Sequence, residues 1–217
     1  MTSSILDLMC DVGVLPVFRT DETSKLIPAS IALLKAGVRV MEYTLTMPKA
    51  LASIEHAVAE LPPEIILGAG TALDGPSARL AILAGAKFVV SPGLSPEVVE
   101  TCHQYGVPTV AGASTPTEIM NALKLGVRMI KIFPANSLSP SHIFDLKAPF
   151  PQAQFMIAGG ITLENVAAYI KAGADVVTIG GHCVDAAAFA RGDYDAITKI
   201  TKEFIATIDQ ARKSRAK

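Results

Sequence analysis

The sequence predicts an α/β protein, a single-domain (β/α)8 TIM barrel over residues 1–217, on three observations. Short Val- and Ile-rich runs alternate with longer amphipathic stretches along the whole chain. The amphipathic stretches carry helix start and stop signals at their ends. No glycine-rich dinucleotide loop follows the first apolar run, where Val17-Phe18-Arg19-Thr20-Asp21 stands instead. That places the closed barrel ahead of an open doubly wound sheet, the alternative for such an alternation.

The apolar runs cover 14–19, 38–45, 65–71, 87–92, 108–113, 129–133, 154–160 and 176–181. They have the length of strands and usually end in Gly, Pro, Ser or Thr. Helix-like stretches lie between them at 22–36, 49–60, 76–84, 96–105, 116–125 and 163–172, and a closing helix with a basic end is expected over 198–217. A short helix is also expected to start near Val184. Thr115-Pro116 followed by Glu118 supplies an N-cap, a first-turn proline and a capping-box acid. Ser95-Pro96-Glu97 and Thr162-Leu163-Glu164 read similarly. Gly37, Gly85, Gly126 and Gly173 each stand just past a helix, where a left-handed residue ends it.

Composition excludes several function classes. Half of the residues are hydrophobic, enough for one large core. The 19 basic and 20 acidic residues leave a net charge of -1, which gives no field for nucleic acid or anionic lipid. Trp is absent and aromatics are sparse, which argues against base stacking. Cys10, Cys102 and Cys183 form an odd, widely spaced set that fits a reduced cytoplasmic protein. The first fifteen residues carry Asp7 and Asp11 and no basic segment, unlike a signal peptide. The apolar runs break before membrane-spanning length. No nucleic-acid partner, no membrane, no metal and no cofactor are expected; His56, His103, His142 and His182 are scattered without ligand spacing.

The chemistry concentrates on two strands. In Met129-Ile130-Lys131-Ile132-Phe133-Pro134 the alternation of side chains puts Ile130 and Ile132 on one face, Lys131 and Phe133 on the other. The aliphatic face should meet the outer helices, so Lys131 points into the barrel near the C-terminal strand end, where barrel enzymes keep their sites. Desolvation favours the neutral, nucleophilic form of an amine. A lysine there equally fits a core salt bridge or a side chain snorkelling to solvent. In Val40-Met41-Glu42-Tyr43-Thr44-Leu45, Glu42 and Thr44 share the inward face. A lone carboxylate inside an apolar strand is unusual. It is either a structural partner of Lys131 or a general acid/base beside a Schiff-base lysine.

Together these segments resemble the bacterial 2-keto-3-deoxy-6-phosphogluconate (KDPG) and 4-hydroxy-2-oxoglutarate (KHG) aldolases. The matching motifs are Leu15-Pro16-Val17 with Arg19, Gly37-Val38-Arg39-Val40-Met41-Glu42-Tyr43-Thr44-Leu45, Gly68-Ala69-Gly70-Thr71, Ser91-Pro92-Gly93, Lys131-Ile132-Phe133-Pro134-Ala135, Gly159-Gly160-Ile161 and Ile179-Gly180-Gly181. They follow the family order over nearly the whole chain, as does Gly192-Asp193-Tyr194-Asp195 near its end. The resemblance implies a homotrimeric barrel in which Lys131 forms an imine with the 2-oxo carbon and Glu42 moves protons. It implies that Thr71, Pro92 and Phe133 line the pocket for the pyruvyl part, although a helix cap, a strand terminator and ordinary core would explain the same three residues. The glycine pairs Gly159-Gly160 and Gly180-Gly181 follow the last two strands, where glycine turns either serve only as tight turns or offer backbone donors to a phosphate; the resemblance favours phosphate.

The chain also departs from the family. Thr46 stands where many members carry an arginine that grips the substrate carboxylate, and Arg19 is the natural substitute. Ala158 replaces a frequent threonine and His182 a frequent serine. The leading expectation is a class I aldolase that cleaves a 2-keto-3-deoxy-6-phospho sugar acid to pyruvate and glyceraldehyde 3-phosphate. Its alternatives are a 4-hydroxy-2-oxoglutarate aldolase or oxaloacetate decarboxylase using the same imine, and a barrel that only binds phosphorylated metabolites.

Overall fold

The computed structural model describes residues 4–180 and 185–215. Eight parallel strands close a barrel in chain order: β1 (Val14–Phe18), β2 (Val40–Thr44), β3 (Ile66–Gly70), β4 (Val89–Val90), β5 (Thr109–Gly112), β6 (Met129–Ile132), β7 (Gln154–Ile157) and β8 (Val176–Ile179). β8 pairs back onto β1 with Leu15 opposite Thr178. Each expected apolar run holds one strand, so the barrel expectation stands.

The helices outside it are α1 (Ile5–Val12), α2 (Leu26–Lys35), α3 (Ala50–Glu60), α4 (Gly75–Leu83), α5 (Pro96–Gln104), α6 (Pro116–Lys124), α7 (Pro140–Lys147), α8 (Val166–Ala172), α9 (Ala186–Arg191) and α10 (Tyr194–Arg215). The Thr115 box forms as expected, with Glu118 reaching back to the cap. Gly37, Gly85, Gly126 and Gly173 all take positive φ after their helices. No helix among the described residues is long and apolar enough to cross a membrane.

Five helices differ from expectation, each for a local reason. α2 begins at Leu26 rather than at Glu22, because the chain first makes a 3-10 turn over Thr23–Lys25. α1 and α7 are too short for their periodicity to stand out. α1 is nonetheless marked by a Ser4–Asp7 capping box, and α7 starts with a proline after Ser139. α8 begins at Val166 rather than after Thr162, because the Asn165 side chain first closes a turn on Gly160 and Thr162. α10 begins at Tyr194, where Asp193 accepts from the Ala196 N–H and starts the helix early. α9 starts just after Val184, which lies outside the described residues.

Strand alternation divides the core in two. Outward residues such as Met41, Tyr43, Ala69, Ile130, Ile132, Phe155 and Val177 pack against the helices. Inward residues Leu15, Val40, Phe88, Val90, Val110, Met129, Met156 and Val176 cluster with Leu6 and Met9 of α1. α1 therefore plugs the N-terminal end, and the opposite end of the barrel is left for chemistry. Arg212 of α10 holds the plug, donating to the carbonyls of Cys10 and Asp11.

Large inward side chains need compensation on neighbouring strands. A Cβ at Gly68 would lie 2.3 Å from the fully buried Phe88 ring. Gly68→Ala should therefore destabilise the barrel by about 1–3 kcal/mol through overpacking. A lower urea midpoint with an unchanged m-value would show it, and an unchanged midpoint would mean that the ring has room to move.

Candidate active site

The C-terminal strand ends collect the charged residues of the interior. Lys131 is the third residue of β6, paired laterally with Gly112 of β5 and Met156 of β7. Its side chain is 8% exposed, and Nζ lies 5.5 Å from the centre of the Phe133 ring. Lys131 thus points inward, as the alternation predicts, and does not snorkel to bulk water.

Glu42 sits two strands past the β8–β1 seam, fully buried on β2. Its lateral partners are Val17 of β1 and Gly68 of β3. The carboxylate extends across the face of Gly70, where an added Cβ would fall 1.6 Å from Oε1. Glycine at 70 is therefore a steric requirement for this carboxylate. Neither Glu42 oxygen has a hydrogen-bond partner among the described residues. Burial pushes its carboxyl above the ordinary 4.5, while Lys131 and Arg19 pull the other way. No ion pair joins Glu42 to Lys131 among the described residues, so a direct structural Glu–Lys bridge is not what holds them.

Arg19 follows β1 and lies exposed at the mouth. Its Nη2 donates to Thr71 Oγ1 at 3.2 Å. Thr71 follows β3 with φ 64, a left-handed conformation that a β-branched residue rarely accepts. It does not cap α4; Asp74 does. Thr46, also exposed, donates to Thr44 Oγ1 at 3.2 Å, and Thr44 in turn donates to the Phe18 carbonyl.

Pro92 and Phe133 follow β4 and β6 on the same rim. The Pro92 carbonyl packs so closely on Gly112 that a Cβ there would lie 1.9 Å from it. Gly112 thereby lets the Pro92–Gly93 backbone approach β5 next to Lys131. Phe133 is half-exposed, precedes a cis peptide to Pro134, and receives a hydrogen bond on its carbonyl from Ser114. Gly159 and Gly160 follow β7 with φ 96 and 74, and a Cβ at Gly159 would be 3.5 Å from the Phe133 ring. Gly180 is exposed after β8. Gly181, His182 and Cys183 lie outside the described residues.

Residue-type reasoning missed Gly70, Gly112 and Ser114. The two glycines left a signal, since glycine inside a strand marks a close approach by another group. Ser114 left none. The thiols offer no competing nucleophile among the described residues: burial pushes Cys10 up to about 12 and raises Cys102.

An inward lysine, a buried carboxylate without a partner among the described residues and an arginine around one strand-end mouth define a (β/α)8-barrel enzyme. The model of the family described as KDPG and KHG aldolase matches residues 5–200. The chain is 35% identical over 204 residues to a 2-dehydro-3-deoxy-phosphogluconate aldolase of Treponema pallidum, covering 92% of this chain and 95% of that one. It is 36% identical over 194 residues to the KHG/KDPG aldolase of Escherichia coli K12, covering 88% and 90%. Among solved structures, a KDPG aldolase from Legionella pneumophila with pyruvate captured as a covalent carbinolamine superimposes with a TM-score of 0.83 at 25% identity, over 93% of this chain and 98% of that one. The chain belongs to the KDPG and KHG aldolase family and is a carbon–carbon lyase.

The raised carboxyl of Glu42 has a consequence for stability. Protonated in both states below 4.5, it costs nothing there; as pH rises toward its folded value, the unfolded chain ionises first and stability is lost. Glu42→Gln removes that penalty. The variant should show a higher urea midpoint than wild type at pH 8, the gap closing as pH falls to 4.5. A gap independent of pH would mean that Glu42 is not held in a desolvated state.

Proposed function

We propose that this chain is a class I aldolase that cleaves 2-keto-3-deoxy-6-phosphogluconate, or its galactonate epimer, to pyruvate and glyceraldehyde 3-phosphate. The reading is carried by one observation: a buried inward lysine shares the barrel mouth with a buried carboxylate that has no hydrogen-bond partner among the described residues. Neither group is cheap to bury without a use.

In this reaction Lys131 Nζ attacks the C2 carbonyl and gives a carbinolamine. Loss of water leaves a protonated imine. Glu42 then takes the proton of the C4 hydroxyl as the C3–C4 bond breaks. The bonding electrons pass into the iminium, giving an enamine and free glyceraldehyde 3-phosphate. The enamine is protonated at C3, and water releases pyruvate and the free lysine. A carboxyl raised by burial and restrained by two cations suits both directions of that proton traffic. The imine is the electron sink, so no metal ion or cofactor is assigned.

Arg19 is assigned to the substrate carboxylate. Its sole hydrogen bond among the described residues goes to Thr71, which leaves donors for a planar bidentate contact. Thr46 spends its proton on Thr44 and contributes at most an acceptor. Thr71, Pro92 and Phe133 are assigned to the walls around the pyruvyl group. The phosphate is assigned to the turns at Gly159-Gly160 and at Gly180-Gly181. The backbone N–H groups of Gly159, Gly160 and Ile161 meet no acceptor among the described residues, which supports this assignment. A second reading, 4-hydroxy-2-oxoglutarate cleavage, draws support from Ala158, which offers no hydroxyl to a sugar chain, and from the dual name of the Escherichia coli relative.

Borohydride reduction in the presence of pyruvate should add a lactyl-sized mass at Lys131 and none in Lys131→Ala. In Glu42→Gln, kcat should fall by about 10²- to 10⁴-fold. An adduct that survives Lys131→Ala, or near-normal turnover in Glu42→Gln, would overturn the assignment.

We also infer a homotrimer, acting in the cytoplasm. Leu80 and Leu83 are 51% and 63% exposed and share one face of α4, and Leu73 just before the helix is 64% exposed. Such exposed apolar side chains fit a surface covered by another copy. Sedimentation should give three copies for wild type and a lighter species for Leu80→Glu/Leu83→Glu; a monomeric wild type would remove this reading.

A further inference from the structure

The turn assigned to phosphate is shaped by one side chain that no motif singles out. Gly159 and Gly160 both hold positive φ, and Gly160 is exposed at the mouth. Left alone, two consecutive left-handed glycines sample many conformations. Here Asn165, the residue before α8, closes the loop from both sides. Its Nδ2 donates to the Gly160 carbonyl at 2.8 Å, and its Oδ1 accepts from the Thr162 N–H at 2.8 Å. The amide thus takes up one acceptor and one donor of the loop and leaves the N–H groups of Gly159, Gly160 and Ile161 without acceptors among the described residues.

Asn165 is itself held in place. Tyr169 stands four residues on, along the same face of α8. Its buried hydroxyl lies 3.0 Å from the carbonyls of both Ala135 and Leu138, in the loop after β6. The Ala135 N–H donates in turn to the Ala158 carbonyl at 2.8 Å, just before the glycine pair. The loop that follows Lys131 and the loop with the free N–H groups are therefore braced against the same helix. Gly160 is pressed from the other side, where a Cβ would come 2.7 Å from Asn136.

We propose that Asn165 is a positioning residue for the phosphomonoester end of the substrate: it aims the backbone donors of residues 159–161 without touching the phosphate itself. The proposal rests on the phosphate reading above. Its chemistry is preorganisation, since donors fixed before binding lose little entropy when the anion arrives. Only a side chain that both donates and accepts through adjacent atoms at this position serves both halves of the loop, and among residues of this size that is asparagine. Aspartate would keep the acceptor for Thr162, lose the donor to Gly160 and add a charge that repels the anion.

The test compares wild type, Asn165→Ala and Asn165→Asp on 2-keto-3-deoxy-6-phosphogluconate and on its unphosphorylated counterpart. Inorganic phosphate serves as a competitive probe, and borohydride trapping with pyruvate reports on Lys131 alone. Asn165→Ala should raise KM for the phosphorylated substrate and the inhibition constant of phosphate by roughly tenfold to a hundredfold, the loss expected for charge-assisted hydrogen bonds. Activity on the unphosphorylated substrate and pyruvate trapping should stay near wild type. Asn165→Asp should weaken phosphate at least as much, and carries the test by itself if the alanine variant does not fold. Unchanged phosphate inhibition in both variants, or an equal loss on both substrates and in trapping, overturns the role of Asn165. A wild type indifferent to the phosphate group overturns the phosphate reading itself, and the role of Asn165 with it.

Discussion

An unpaired carboxylate buried at the centre of a barrel is expensive, and the surroundings of Glu42 are arranged around that cost. Its oxygens find no hydrogen-bond donor among the described residues, and their compensation is the field of Lys131 and Arg19 rather than a bonded partner. The carboxylate fits only because β3 presents glycine at position 70, and Phe88 fills the level below only because β3 presents glycine at 68. On the far side Gly112, the lateral neighbour of Lys131, likewise makes room, there for the Pro92 carbonyl. Inward glycines on β3 and β5 are thus the negative image of the acid, the aromatic ring and the Pro92 carbonyl.

This arrangement depends on which end of the barrel is closed. α1 inserts Leu6 and Met9 beneath the inward aliphatic layer, so the N-terminal end is dry and packed. Among the described residues no helix plugs the C-terminal end, and there several rim residues take uncommon backbone conformations. Thr71 is left-handed, and Gly159 and Gly160 are both at positive φ. Backbone held in sparsely populated regions gathers at sites where geometry serves a ligand. The division of labour between the two ends is the one expected for a barrel enzyme, stability below and chemistry above.

Much of the fold was legible in the chain. The eight apolar runs, the Thr115 capping box and the four glycine stops rest on local chemistry, and the strands and helices formed where they stood. The inward direction of Lys131 and Glu42 followed from period-two alternation, because Ile130, Ile132, Met41 and Tyr43 had to face the helices. The family was legible because its motifs run in order through the chain. Short helices such as α1 and α7 carry too few turns to show a period. The start of α8 was set by a side-chain turn that competes with the helix, not by the Thr162 pattern.

What the sequence determined by itself was therefore the order of elements and the inward face of each strand, both consequences of neighbours within a few positions. Tertiary structure alone decided which inward residues meet. Gly70 lies beneath the Glu42 carboxylate because β2 and β3 pair in one register, and Arg19 reaches Thr71 because the ends of β1 and β3 share one rim. Likewise α8 is placed by Tyr169 reaching the loop after β6, more than thirty residues back in the chain. Distances across a closed barrel depend on register and shear, which no local run of residues specifies.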